Sequence, residues 1–280
     1  MAYVYEGEVS RKREFVEIGP EVIIPKEEDP LLEIQHYEKL ANARLMYSVE
    51  NWRKNLSRIS EVAKRALEIY PVNIDSKSYL EKLEYELDES GHILEGIDKI
   101  ENELNKISTD SSKSYEELLK MRHLLHSKEV DFKLSIKNFQ SSFRSFCSNL
   151  SCSIIDLRHG ISNFGKFLKI LEDSYLNNIT DYNSIELLVE SFEKIQKNLR
   201  DIEKIPYYEE LKESLILCKG SSRVIEAYSL PIWKGQGIER EMRDKKNQAE
   251  KVVNEKIPSI LSNSKTFLSA VSDLYQKRIA

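Results

Sequence analysis

One stripe of apolar residues constrains this chain more than anything else in it. It runs Leu118, Met121, Leu125, Phe132, Ile136, Phe139, Phe143, Phe146, Leu150, Ile154, Leu157, Ile161, Phe164, Leu168, Leu171 and Tyr175. The steps alternate three and four, with one position skipped at Glu129 and one doubled four between Leu150 and Ile154. Such spacing belongs to a helix that buries one narrow face against neighbouring helices along its length. The doubled step acts as a stutter, which unwinds a supercoil locally without ending the helix. At about 1.5 Å per residue the stretch predicts a helix of roughly 87 Å, far longer than helices of compact domains.

The composition agrees. Charged residues make up 32% of the chain and hydrophobic ones 40%, with only 9 Gly and 7 Pro in 280 residues. Few breakers and abundant charge suit long helices with a buried stripe and a wet outer face. The expected fold is therefore all-α, an elongated antiparallel bundle of coiled-coil-like helices. Residues 1–28 read differently: Tyr3-Val4-Tyr5, Phe15 to Ile18 and Val22 to Ile24 are β-prone runs punctuated by Gly19-Pro20 and Pro25. They predict a short extended or β-prone N-terminal arm, and residues 29–280 the long-helix bundle.

Helix boundaries follow from local signals. Asp29-Pro30 is an N-cap followed by proline at the first helical position, opening a helix expected to run to about Tyr70. Its stripe is Leu45, Val49, Trp52, Leu56, Ile59, Ala63, Ala66 and Tyr70. A second helix starts at Asp75 or Ser76 and continues to about Ile107, with Ser90 and Glu101 at inward-tending positions. The polar run Ser108 to Ser112 then turns the chain into the long central helix. Beyond Asn177-Asn178 and Asp181, a fourth helix carries Ile185, Leu188, Phe192, Ile195, Leu199 and Ile202 until Pro206, with a continuation from Tyr208 to Cys218 before Gly220. A last helix is expected from Ile238 to Arg278, with a kink at Pro258.

Net charge alternates along these segments: +3 over 38–70, about −6 over 80–107, +2 over 114–175, −2 over 184–219 and +3 over 238–280. Consecutive helices lying side by side with complementary flanks produce this pattern. The overall charge of −5 gives no basic footprint for nucleic acid. No run of residues approaches the roughly 18 to 20 apolar positions that cross a bilayer. Residues 1–18 carry Glu6, Glu8, Arg11, Lys12 and Arg13, unlike a signal peptide. Reduced thiols at Cys147, Cys152 and Cys218 fit a cytoplasmic setting.

Motifs that could carry chemistry each meet an obstacle. Gly160-Ile-Ser-Asn-Phe-Gly165-Lys166 fits the first seven positions of a phosphate-binding loop, but Phe167 stands where a hydroxyl should hold magnesium. It also lies inside the helical stripe, so a kink or close packing at the glycines is the expected reading. Glu33…His36 and Glu89…His92 have the spacing of paired metal ligands on a helix, yet fall on consecutive helices with no unpaired-glutamate helix between them. His123 and His126 share a face beside Glu129 and read as solvated polar residues. Neither Cys147 nor Cys152 has a histidine near enough in sequence to act as its base. No catalytic residue, metal site or cofactor is therefore expected.

Two sets of residues remain as contact candidates. The segment from Tyr228 to Gly237 is rich in breakers and apolar residues, so Leu230, Ile232 and Trp233 are expected to cap the bundle or anchor a partner. Arg53, Lys54 and Arg58, with Arg240, Arg243, Lys245 and Lys246, could face an anionic surface or pair with the acidic helix. The leading expectation is a non-catalytic scaffold or interaction subunit that offers a long helical surface to protein partners and self-associates as a homo- or hetero-oligomer. The alternative is a peripheral membrane protein, by analogy of shape a BAR-like scaffold or a soluble component of a helical toxin.

Overall fold

A computed structural model describes residues 27–41, 48–109, 115–229 and 239–276. Among these the protein is an all-α helical bundle with no strand: α1 (Pro30–Ala41), α2 (Val49–Ile69), α3 (Ser76–Thr109), α4 (Tyr115–Leu176), α5 (Tyr182–Asn198), α6 (Tyr208–Ser229) and α7 (Glu239–Gln276). A one-turn 3₁₀ helix, Ile202–Lys204, lies between α5 and α6. The extended arm expected over residues 1–28 falls outside the described residues except at its last two positions.

The chain forms two compact units. Unit one holds residues 1–66 and 75–151; unit two holds 67–74 and 152–280. The central helix α4 is 62 residues long and contributes to both.

Unit one is organised around an aromatic cluster. Trp52 of α2 has no exposed surface and meets Phe139 and Phe143 of α4 edge-on, at 5.3 and 5.2 Å between ring centroids. Tyr37 of α1 closes on Phe143, and Tyr79 of α3 on Phe146. Rings bury large apolar area, and edge-on contact aligns the positive rim of one with the negative face of the next. Between α3 and α4 runs a polar layer. The Ser90 and Ser135 hydroxyls are 2.8 Å apart, and Ser142 donates to Glu86 Oε1 at 3.1 Å. Ser90 is fully buried, as its inward-tending position predicts. It is tolerated because its hydroxyl also donates to the Glu86 carbonyl.

The helix predicted from Asp29 to Tyr70 is two helices. Ser48 is not helical, and its hydroxyl accepts from the Asn51 backbone N–H at 3.3 Å, a cap that opens α2. Glu33, on α1, is buried. Its carboxylate accepts from the Glu27 N–H at 2.9 Å and pairs with the Arg65 guanidinium of α2. A carboxylate held out of water needs such partners, so this pair fixes how α1 lies on α2.

Unit two has its own ring cluster: Phe164 of α4, Phe192 of α5 and Phe267 of α7 lie 5.4 to 6.2 Å apart, and Tyr208 stacks on Phe192. Asp181 caps α5 by accepting from the Ser184 N–H and hydroxyl. The helix ends at Asn198, earlier than the stripe through Leu199 and Ile202 predicts. There the backbone turns extended to take up the segment 71–74. Asn73 N–H donates to the Asn198 carbonyl at 2.6 Å, Arg200 N–H to the Pro71 carbonyl at 2.8 Å, and Val72 bridges Leu199. Leu199 and Ile202 stay buried although they leave the helix. At the other end of this turn α6 runs straight through Gly220 to Ser229, since an isolated glycine weakens a helix by about 1 kcal/mol without stopping it. Pro258 likewise lies inside α7.

Candidate functional site

The turn between α5 and α6 concentrates backbone strain. Asp201 and Tyr207 both adopt left-handed conformations, with φ of 56° and 62°. For residues carrying a Cβ this costs on the order of 1–3 kcal/mol each and persists only where the surroundings enforce it. The enforcing contacts are the hydrogen bonds to residues 71–73 and the buried Ile202, Ile205 and Tyr208. A cleft of about 390 Å³ opens beside the turn, lined by Pro71, Arg200, Asp201, Lys204, Ile205 and Leu274 among others. Four charged residues line it: Lys204 pairs with Asp201 at 3.1 Å, the Arg200 guanidinium leans toward the Val72 carbonyl, and Asp273 completes the set. Pro71, Ile205, Pro206, Ala270 and Leu274 make the rest of the wall apolar.

A second cleft of about 400 Å³ lies between α5, α6 and α7, with Tyr182, Glu186, Ser222, Arg223, Lys246 and Glu250 on its walls. Here too opposite charges meet. Arg223 stands 3.7 Å from Glu186, Lys246 3.9 Å from Glu250, and Lys219 2.8 Å from Glu193. Burial and the nearby Glu250 carboxylate push the Tyr182 phenol up from its ordinary value, so it stays protonated. The Ser222 hydroxyl is buried with no hydrogen-bond partner among the described residues.

The basic residues singled out in the sequence fall in both units. In unit one, Arg53 reaches Asp88 of α3 at 3.2 Å, Lys54 is exposed, and Arg58 is half-buried. The Arg58 charge partly offsets the burial that raises the Tyr37 phenol to about 12. In unit two, Lys245 pairs with Glu241 at 2.7 Å, their hydrogen bond favouring the charged form of each. Lys246 lines the cleft just described, while Arg240 and Arg243 are exposed with no ion pair among the described residues. Leu230, Ile232 and Trp233 lie outside the described residues.

The remaining motifs settle into structural positions. Gly160 is packed so closely that a Cβ there would stand 3.0 Å from Ile195 Cγ1 and 3.2 Å from the Ser191 carbonyl oxygen. Close approach of α4 and α5 is what this glycine permits, and the loop-like motif is continuous helix. Glu33 is engaged with Arg65, and His92 approaches Glu95 at 3.9 Å rather than Glu89. No group of three or more His, Cys, Asp or Glu side chains among the described residues is placed to hold a metal ion. Burial pushes the Cys147 thiol far up and Cys218 to about 11, leaving both protonated and poorly nucleophilic at neutral pH.

What sequence reasoning missed is a second apolar row on α4. Tyr115, Leu119, Val130 and Leu134 point outward, with exposures of 76%, 38%, 50% and 59%. They share a side of the helix nearly opposite the buried stripe, and their helical spacing was available in the sequence. Comparison of the chain with protein-family profiles, characterised proteins and solved structures finds no match.

Proposed function

We propose that this protein is a non-catalytic helical interaction subunit, a scaffold whose helices pack antiparallel in coiled-coil fashion and offer outward faces to protein partners, a second copy included. Support for the packing comes from the order of the contacts between α3 and α4. Tyr79, Glu86 and Ser90 meet Asn149, Ser142 and Ser135 in turn. The observation that carries the function is the exposed apolar row of α4. Single exposed apolar residues are ordinary, but aligned ones mark contact surfaces. The setting we infer is cytoplasmic. No described helix is long and apolar enough to cross a membrane.

A second reading, peripheral attachment to an anionic membrane, draws on Arg240 and Arg243, which are exposed and make no ion pair among the described residues. Two measurements on the full chain separate the readings. Two differently tagged copies, co-expressed, cross-linked and then purified through one tag, should elute together, and the protein should stay in the supernatant when anionic vesicles are pelleted. Salt-sensitive pelleting with the vesicles, and no co-elution, would replace the scaffold reading with the membrane one.

A further inference from the structure

We propose that the outward face of α4 between Tyr115 and Leu134 docks the same face of a second copy, antiparallel, about a two-fold axis between His123 and His126. This rests on the scaffold reading and assigns it a surface. The face consists of Tyr115, Leu119, His123, His126, Val130 and Leu134, at steps of four, four, three, four and four. Both histidines are exposed, as are the four apolar residues. At 100° per residue all six fall within about a third of the helix circumference. Their mean step is a little longer than one helical turn, so the row winds slowly and two copies would cross in a right-handed sense. Beyond Leu134 the same side turns polar, with Lys137 and Ser141.

The spacing reads the same in both directions. Turned end for end about its midpoint, the row superposes on itself. Tyr115 then faces Leu134 of the partner copy, Leu119 faces Val130, and His123 faces His126. Self-complementarity of this kind is what an isologous two-fold interface requires, and a row built for an unrelated partner has no need of it.

Charge points to the same occupant and the same direction. The row has Glu116 at its N-terminal end and Lys133 and Lys137 at the other. Antiparallel docking brings the acidic end of one copy to the basic end of the next, whereas parallel docking stacks like charges. Glu116, Glu129 and Asp131 also set this stretch apart from a membrane-surface helix, whose polar face is predominantly basic. Six residues a side make a small interface, so association on the order of micromolar is expected.

Sedimentation velocity on the full chain, from about 1 to about 100 μM, tests the proposal. The wild type should pass from monomer to dimer across that range. Leu119→Asp/Val130→Asp should remain largely monomeric throughout, more than about a hundredfold weaker, with its helical circular dichroism and melting temperature kept because both side chains are exposed. Direction is read by disulfide trapping in a Cys152→Ser background. Leu119→Cys alone and Val130→Cys alone should give little dimer on mild oxidation, since each cysteine lies about 16 Å along the axis from its own copy. Mixing the two proteins should give a cross-linked pair. A wild type monomeric at about 100 μM overturns the self-docking while leaving other protein partners to the scaffold reading. A variant that dimerises like the wild type keeps self-association but removes this surface. Self-linking of each single-cysteine protein, with no pair joining the two different proteins in the mixture, overturns the antiparallel arrangement.

Discussion

Two adjoining stretches of α4 carry one stripe and meet different surroundings. From Phe132 to Leu150 the stripe residues Phe132, Ile136, Phe139, Phe143, Phe146 and Leu150 have no exposed surface at all. Between Tyr115 and Asp131 the same register holds Leu118, Met121 and Leu125, each only half-buried. The difference is a matter of neighbours. Rings from α1, α2 and α3 close on the inner stretch through Tyr37, Trp52 and Tyr79. Val49, the first residue of α2, sits beside Gly91, so α3 runs on to Thr109 past the start of α2. A heptad pattern therefore states which face of a helix is apolar, and the number of helices gathered round it decides how much that face stabilises.

The sharpest way to break the contrast is Phe146→Asp. An unpaired carboxylate in the ring cluster, with no partner to neutralise it, should unfold unit one or lower its stability by more than about 4 kcal/mol in chemical denaturation. A small effect would mean that the inner stretch is no more enclosed than the outer one. Phe143→Ala comes next. Loss of a ring that meets both Trp52 and Tyr37 should cost about 3–5 kcal/mol. Leu125→Ala, on the same stripe in the outer stretch, should cost about 1 kcal/mol or less, because much of that side chain already meets water. Equal losses for these two would erase the distinction.

The long helices were legible because their information is periodic and local. The bounds of α3, α4 and α7 lie within a few residues of those read from the stripe and the turn signals. Ser48 was not legible, since Val49 and Trp52 continue the four-three rhythm across the break and a capping serine looks like any surface serine. The end of α5 was hidden for a related reason. Leu199 and Ile202 are buried whether the backbone stays helical or turns to meet Val72, so the apolar pattern does not register the change. Asp201 and Tyr207 carry no mark of their left-handed geometry, adopted in a turn that Arg200 ties to Pro71 and that buries Ile202, Ile205 and Tyr208. For the contact residues, the basic positions could be named but not their partners. Arg53 and Lys245 are committed to Asp88 and Glu241. The outward row of α4 was overlooked because the stronger inner stripe occupies the same stretch.

The segment 67–74 has a consequence for how the chain matures. It belongs with residues 152–280, yet it is flanked on both sides by sequence of unit one. During synthesis every residue of unit one has emerged once position 151 leaves the ribosome, and its ring cluster can close. The Pro71 carbonyl and the Asn73 N–H must then wait for Arg200 and Asn198, more than a hundred residues downstream, before they are paired. Until then those two groups rely on water. No single cut of the gene separates the two units cleanly: residues 1–151 hold all of unit one but carry off the segment that unit two needs.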